Sequence, residues 1–150
     1  MQPVSVIATV LNEVEEFGRL VPSLLGQIPP PAEVVIVDGG STDGTWERLL
    51  DEARRHPNLM PIRDESCNLK RSPGPIARGR NVAIAAARST IVACADAGCT
   101  YAADWLTGQS LRSPGRVNPH LNSARWKRYT VRTAKIGSSG LRKRDPAMMK

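Results

Sequence analysis

As far as about Leu106, apolar residues recur with two alternating rhythms that define an ordered series of elements. Val4 to Val10 is an uncharged run rich in β-branched residues, as expected of a strand covered on both faces in a parallel sheet. Glu13 to Gln27 places Val14, Phe17, Leu20, Val21, Leu24 and Leu25 at three- and four-residue spacing, with acids in the first turn where the helix dipole favours them. This predicts a helix, bent at Pro22. Pro29-Pro30-Pro31 ends it, and Glu33 to Asp38 is a second strand. Ser41 or Asp43 can cap a helix over Thr45 to Arg55, whose apolar face carries Trp46, Leu49, Leu50 and Ala53. Leu59 to Ile62 is a short third strand, and Asp64 to Pro75 a polar loop with Pro and Gly. Arg78 to Arg88 is an Ala-rich helix, and Ile91 to Ala95 a fourth strand ending at Asp96. Strands alternating with helices imply right-handed βαβ units, hence an α/β, Rossmann-like domain: a mostly parallel sheet with helices on both faces.

In such a sheet, ligands bind beyond the carboxyl ends of the strands. Four segments fall there, each with a functional and a purely structural reading. Thr9 to Glu13, through backbone groups and Asn12 or Glu13, can line a base or ribose pocket, or simply make a turn and a helix cap. Asp38 can accept a hydrogen bond from a nucleobase N–H or a ribose hydroxyl, or end a strand and start a turn. The segment Arg71 to Asn81 brings Arg71, Arg78 and Arg80 to the N-terminal side of a helix, which suits a diphosphate, or forms a solvated basic loop. Asp96 can hold Mg²⁺ or Mn²⁺ together with diphosphate oxygens, or cap the segment near Ala102.

Taken in order, these segments resemble the family 2 glycosyltransferases of the GT-A fold. Val4 to Glu13 looks like their opening strand and Asn-Glu turn, and Val37 to Thr45 like their Val-Asp-Asp-Gly-Ser-Thr-Asp-x-Thr segment. Gly79-Arg80-Asn81 is similar to their Ala-Arg-Asn helix start, and Ala95-Asp96-Ala97-Gly98 to their Asp-x-Asp region. The resemblance spans roughly Pro3 to Leu106. It implies a nucleoside diphosphate sugar, most often UDP-linked, bound through Thr9, Leu11, Glu13, Asp38, Arg78, Arg80 and Asn81. It also implies Mg²⁺ or Mn²⁺ at Asp96 and inverting transfer to an acceptor. Gly39 and Gly98 depart from the pattern, each standing where many members carry a second Asp. The family's general base is an acid well downstream of Asp-x-Asp. Here only Asp104 and Asp145 follow Asp96, so no catalytic base is assigned.

Charge divides the chain at the point where periodicity ends. Met1 to Leu106 holds 10 Lys and Arg against 13 Asp and Glu, whereas Thr107 to Lys150 holds 11 against 1. Residues 1–106 are therefore expected to form the nucleotide-sugar-binding domain, and 107–150 a basic, poorly ordered or non-native tail. A truncation or frameshift that removes or replaces the acceptor half would produce such a break. Arg125 to Arg132 interleaves basic and aromatic residues, so non-specific nucleic-acid binding is one alternative, and a nucleotide-binding remnant without catalysis another. No helix-turn-helix or zinc pattern frames the tail, so no specific nucleic acid is expected. A sugar nucleotidyltransferase is disfavoured, because Thr9 to Glu13 contains neither glycine nor a basic residue.

Cys67, Cys94 and Cys99 form no CxxC pair and are expected to be buried or idle thiols. No uncharged apolar run reaches the roughly 18 residues of a membrane span, and the N-terminus lacks a signal-peptide pattern. The expectation is a cytoplasmic protein, compatible with peripheral membrane association.

Overall fold

The computed structural model describes residues 2–110. Four parallel strands, β1 (Val4–Val10), β2 (Glu33–Asp38), β3 (Leu59–Arg63) and β4 (Ile91–Asp96), form one sheet in the order β3-β2-β1-β4. The helices are α1 (Val14–Leu25), α2 (Thr45–Arg55), α3 (Pro75–Ala86) and α4 (Trp105–Ser110). The chain winds outward from β1 to β3, then crosses through α3 to the far side of β1. The strand order therefore reverses between β1 and β4, the position at which open α/β sheets bind ligands. Register brings Thr9 opposite Asp96, Val10 opposite Asp38, and Asp38 opposite Arg63, all at the carboxyl edge.

The two-residue period of the strands divides the core. Val6, Ala8 and Val10 of β1, with Val34 and Ile36 of β2, pack against Phe17, Leu20, Val21 and Leu24 of α1 and Leu49 of α2. Ile7, Val35 and Val37 face the other way, onto Ala83 of α3 and Cys67. Helices thus cover both faces, as the alternation of elements predicts.

α2 has the expected bounds, whereas the ends of α1 and α3 differ from the sequence expectation, each for a local reason. Gly26 caps α1, and Gln27 leaves the helix to become a buried anchor. Its Nε2 donates to the Ser23 and Ala102 carbonyls, and its Oε1 accepts from the Leu106 N–H. α3 starts at Pro75 rather than Arg78, because a proline in the first turn has its φ preset and lacks a donor that would be unpaired there anyway. The helix stops at Ala86, before Arg88. Beyond it the Arg88 and Ser89 N–H groups turn to Glu33 Oε1 and Ser5 Oγ at the amino edge of the sheet.

α4 crosses the composition break at Leu106, whose side chain is buried in the core. Of the basic tail expected over 107–150, residues 111–150 lie outside the described residues. Among the described residues, no helix is long and apolar enough to cross a membrane.

One contact fixes how closely α3 approaches β1. A Cβ added to Gly79 would lie 2.6 Å from Thr9 Cγ2, a branched side chain with little freedom in a strand. Gly79→Ala should destabilise the fold by about 1–3 kcal/mol through overpacking. Thr9→Ser, which removes that methyl, should recover most of the loss in a urea-denaturation double-mutant cycle. Strict additivity would show that the approach is not set by this contact.

Candidate nucleotide-binding site

The two turns that follow β1 and β2 are joined by side chains. Asn12 takes a left-handed conformation at φ 54°, with its N–H donating to Ser41 Oγ at 2.9 Å and its Oδ1 accepting from the Thr42 N–H at 2.9 Å. The Glu13 N–H donates to Thr45 Oγ1 at 3.0 Å, and the Val14 N–H to Asp43 Oδ2 at 3.1 Å. Asp43 Oδ1 accepts from both the N–H and the hydroxyl of Thr45. Asp43 therefore serves the first residues of α1 and α2 together, satisfying N–H groups that helix starts leave unpaired. Burial pushes its carboxyl up, but the bonds from Thr45 and Val14 outweigh that and hold it below its ordinary value. Asn12, Ser41, Asp43 and Thr45 are thus occupied with the backbone.

Asp38 lies inside this turn, fully buried. Its Oδ1 accepts from the Gly40 and Ser41 N–H groups at 2.8 and 2.9 Å, the turn-starting role, while its Oδ2 is buried with no hydrogen-bond partner. The segment after β3 folds down over Gly39 and Gly40. Asn68 Nδ2 donates to the Gly39 carbonyl at 3.1 Å, and a Cβ on Gly39 would lie 2.5 Å from the Cys67 carbonyl oxygen. The second carboxylate that many family members place here would therefore collide with the backbone. Leu11 borders the same spot, 3.6 Å from that Cβ position.

The three arginines of the loop separate. Arg71 pairs with Glu65 at 3.3 Å, Arg78 Nε donates to Ser66 Oγ at 2.7 Å, and Arg80 Nη2 meets Asp96 Oδ1 at 2.5 Å. Only Arg80 reaches the point where strand order reverses. Its Nε is buried without a hydrogen-bond partner, so two of the four such atoms among the described residues, this one and Asp38 Oδ2, lie at the carboxyl edge. The strands carrying Asp38 and Asp96 flank β1, which separates them by about 10 Å, two strand spacings. Thr9 lies between them at the end of β1, Glu13 contributes its N–H to the joined turns, and Asn81 is exposed on α3.

Asp96 was the residue expected to hold Mg²⁺ or Mn²⁺. Rather than capping the segment near Ala102, it pairs with Arg80, while its main chain is gripped by Tyr101: its N–H donates to the hydroxyl at 2.6 Å, and that hydroxyl donates to its carbonyl at 3.3 Å. Among the described residues no three His, Cys, Asp or Glu side chains gather to hold a metal. One carboxylate with diphosphate oxygens can suffice for a divalent ion, but here the guanidinium of Arg80 already occupies that carboxylate. Asp104 is exposed just ahead of α4, and Asp145 lies outside the described residues. A separate groove of about 350 Å³ lies at the carboxyl ends of α1 and α2, lined by Pro22, Leu25, Gly26, Glu52, His56 and Asn58. Helix carboxyl ends carry partial negative charge, so that end of the sheet repels phosphate.

A four-stranded parallel sheet wound to both sides of β1, with helices on both faces, defines the class as an α/β, Rossmann-like domain. The family model described as glycosyl transferase family 2 matches residues 5–109, and the chain belongs to that family. Glycosyltransferase AglE of Haloferax volcanii is 34% identical over 106 residues, which are 69% of this chain and 33% of that protein. The chain thus spans about a third of the curated relative's length. Among solved structures, the mannosyltransferase PcManGT of Pyrobaculum calidifontis in complex with GDP-Man and Mn²⁺ superposes with a TM-score of 0.63 at 29% identity, covering 75% of this chain and 33% of that one. TarS of S. aureus in complex with UDP-GlcNAc gives 0.59 at 30% identity, covering 72% and 30%.

Removing the double cap with Asp43→Ala should cost about 1–2 kcal/mol at neutral pH. Because the folded carboxyl titrates below its unfolded value of 3.8, the ionised contribution is complete above that value and is lost as pH falls through the lower, folded one. The gap between wild type and variant in urea denaturation should therefore narrow from about pH 6 to about pH 3. A gap that stays constant would show that Asp43 does not act through its charge.

Proposed function

We propose that this chain carries the donor-binding half of a glycosyltransferase, holding a nucleoside diphosphate sugar where strand order reverses beside β1, for inverting transfer to an acceptor. The observation that carries this reading is the pair of unpartnered buried atoms, Asp38 Oδ2 and Arg80 Nε, on the two sides of β1 at the carboxyl edge. One is an acceptor suited to a base N–H, the other a donor on a cation suited to a phosphate oxygen. Thr9 lies between them at the end of β1, and Leu11 and Glu13 of the following turn join the proposed site through the family pattern. Arg78 and Asn81 lie on the same helix as Arg80 and join the proposed site through the family pattern, although Arg78 is turned toward Ser66.

A UDP-linked donor is the first choice, supported by the family pattern and by the similarity to TarS, which has been solved with UDP and with UDP-GlcNAc. Uracil offers one N–H to a carboxylate. Guanine does so too, which makes a GDP-linked donor the competing outcome, in keeping with PcManGT. Transfer requires positive charge against the departing diphosphate, and Arg80 supplies it. Inversion follows the family pattern. Free Cys67, Cys94 and Cys99 fit a reducing, cytoplasmic compartment.

Thermal melts of the full chain test this reading. UDP at a hundredfold excess over its Kd should add about 2.7 kcal/mol to stability, a rise of several degrees in Tm. Asp38→Asn keeps the Oδ1 acceptor for Gly40 and Ser41 but replaces the unpaired acceptor with a donor, and should weaken binding about tenfold. A melt that neither UDP nor GDP moves would overturn the reading.

A further inference from the structure

We infer that Arg80, positioned by Asp96, takes the place of a divalent cation against the donor's diphosphate, so that this chain binds nucleoside diphosphates without a metal. The inference rests on the donor-binding reading and concerns how that site balances charge.

Three features of the site carry it. First, a single carboxylate is left to share with the diphosphate oxygens. Gly98 stands where a second Asp would complete the pattern, and a Cβ there would meet nothing within 4 Å. Crowding does not impose the missing carboxylate, in contrast to Gly39, where the Cys67 carbonyl leaves no room.

Second, the remaining carboxylate already holds a cation. Arg80 Nη2 lies 2.5 Å from Asp96 Oδ1, with the arginine side chain 31% exposed and the aspartate 52%. A divalent ion on Asp96 would have to displace the guanidinium or sit beside it, and like charges that close repel.

Third, the guanidinium is fixed in place yet not used up. Gly79 pins α3 against Thr9 one residue before Arg80, and the Tyr101 hydroxyl grips both the N–H and the carbonyl of Asp96. A guanidinium carries five N–H donors in a planar fork. Asp96 takes one, Nε has no hydrogen-bond partner, and the fork matches two phosphate oxygens at once. Arg78 and Arg71 are directed to Ser66 and Glu65 instead, so Arg80 is the cation at the reversal point. Asp96 is then a positioning residue: it orients Arg80 and does not itself touch the donor.

Isothermal titration of the full chain with UDP and with GDP, in EDTA and in Mn²⁺, tests this. The expected result is a Kd in EDTA within about threefold of that in Mn²⁺. Arg80→Gln should weaken binding about tenfold or more in both buffers, with Arg80→Lys recovering part of the loss. Asp96→Asn should cost a few-fold equally in both, and far-UV melts establish that each variant folds. The lysine variant keeps the comparison available if the glutamine variant does not fold. Binding that needs Mn²⁺, disappears in Asp96→Asn and survives in Arg80→Gln would overturn the inference while leaving the donor-binding reading intact. Metal-free binding that Arg80→Gln leaves unchanged would also overturn it. No binding of either nucleotide in either buffer would remove the donor-binding reading itself, and the inference with it.

Discussion

Everything at the carboxyl edge depends on the exchange of hydrogen bonds between the turn after β1 and the turn after β2. The N–H groups of Asn12, Glu13 and Val14 are satisfied by Ser41, Thr45 and Asp43, and Asn12 returns a bond to Thr42. Arg48 of α2 completes the join by donating to the Val14 carbonyl. These bonds hold two adjacent helix starts in fixed relation, so that their free N–H groups face each other's side chains rather than water. They also decide what remains for a ligand. Four polar residues of the turns are committed to the backbone, and the buried atoms without a hydrogen-bond partner at this edge, among the described residues, are Asp38 Oδ2 and Arg80 Nε.

The opposite edge of the sheet shows what a purely structural polar group looks like in the same fold. Glu33 is buried there, and burial pushes its carboxyl up, but bonds from Ser5 and the Arg88 N–H prevail and lower it. The Arg88 guanidinium lies 3.9 Å from its second oxygen. That oxygen has a counter-charge beside it. Among the described residues, the second oxygen of Asp38 has no such ion-pair partner, and its strand ends where strand order reverses.

The strands were legible in the sequence because buried parallel strands are written as short β-branched runs, and Val4–Val10 and Glu33–Asp38 fall where those runs do. The start of α3 was not, because Pro75 reads equally as a breaker and as a first-turn residue, and only tertiary placement decides. Asp38, Arg80 and Asp96 could be named from type and order. Two aspects of their geometry could not. The pairing of Arg80 with Asp96 joins residues 16 apart, and the joined turns link residues 29 to 34 apart. No local spacing encodes such contacts. The Asn-Glu and Ser-Thr-Asp segments carried the signal for the joined turns, since each has short polar side chains next to a helix start, but their reciprocity becomes visible only when β1 and β2 lie side by side.

The most direct measurement is a two-dimensional amide NMR titration of the full chain with UDP and GDP. A nucleotide bound at the reversal point should shift the amides of Gly39, Gly40, Ser41, Arg80 and Asp96, and leave those of Glu33, Arg88 and Ser89 at the other edge in place. Shifts confined to the amino edge, or to the groove beside His56, would contradict a carboxyl-edge site.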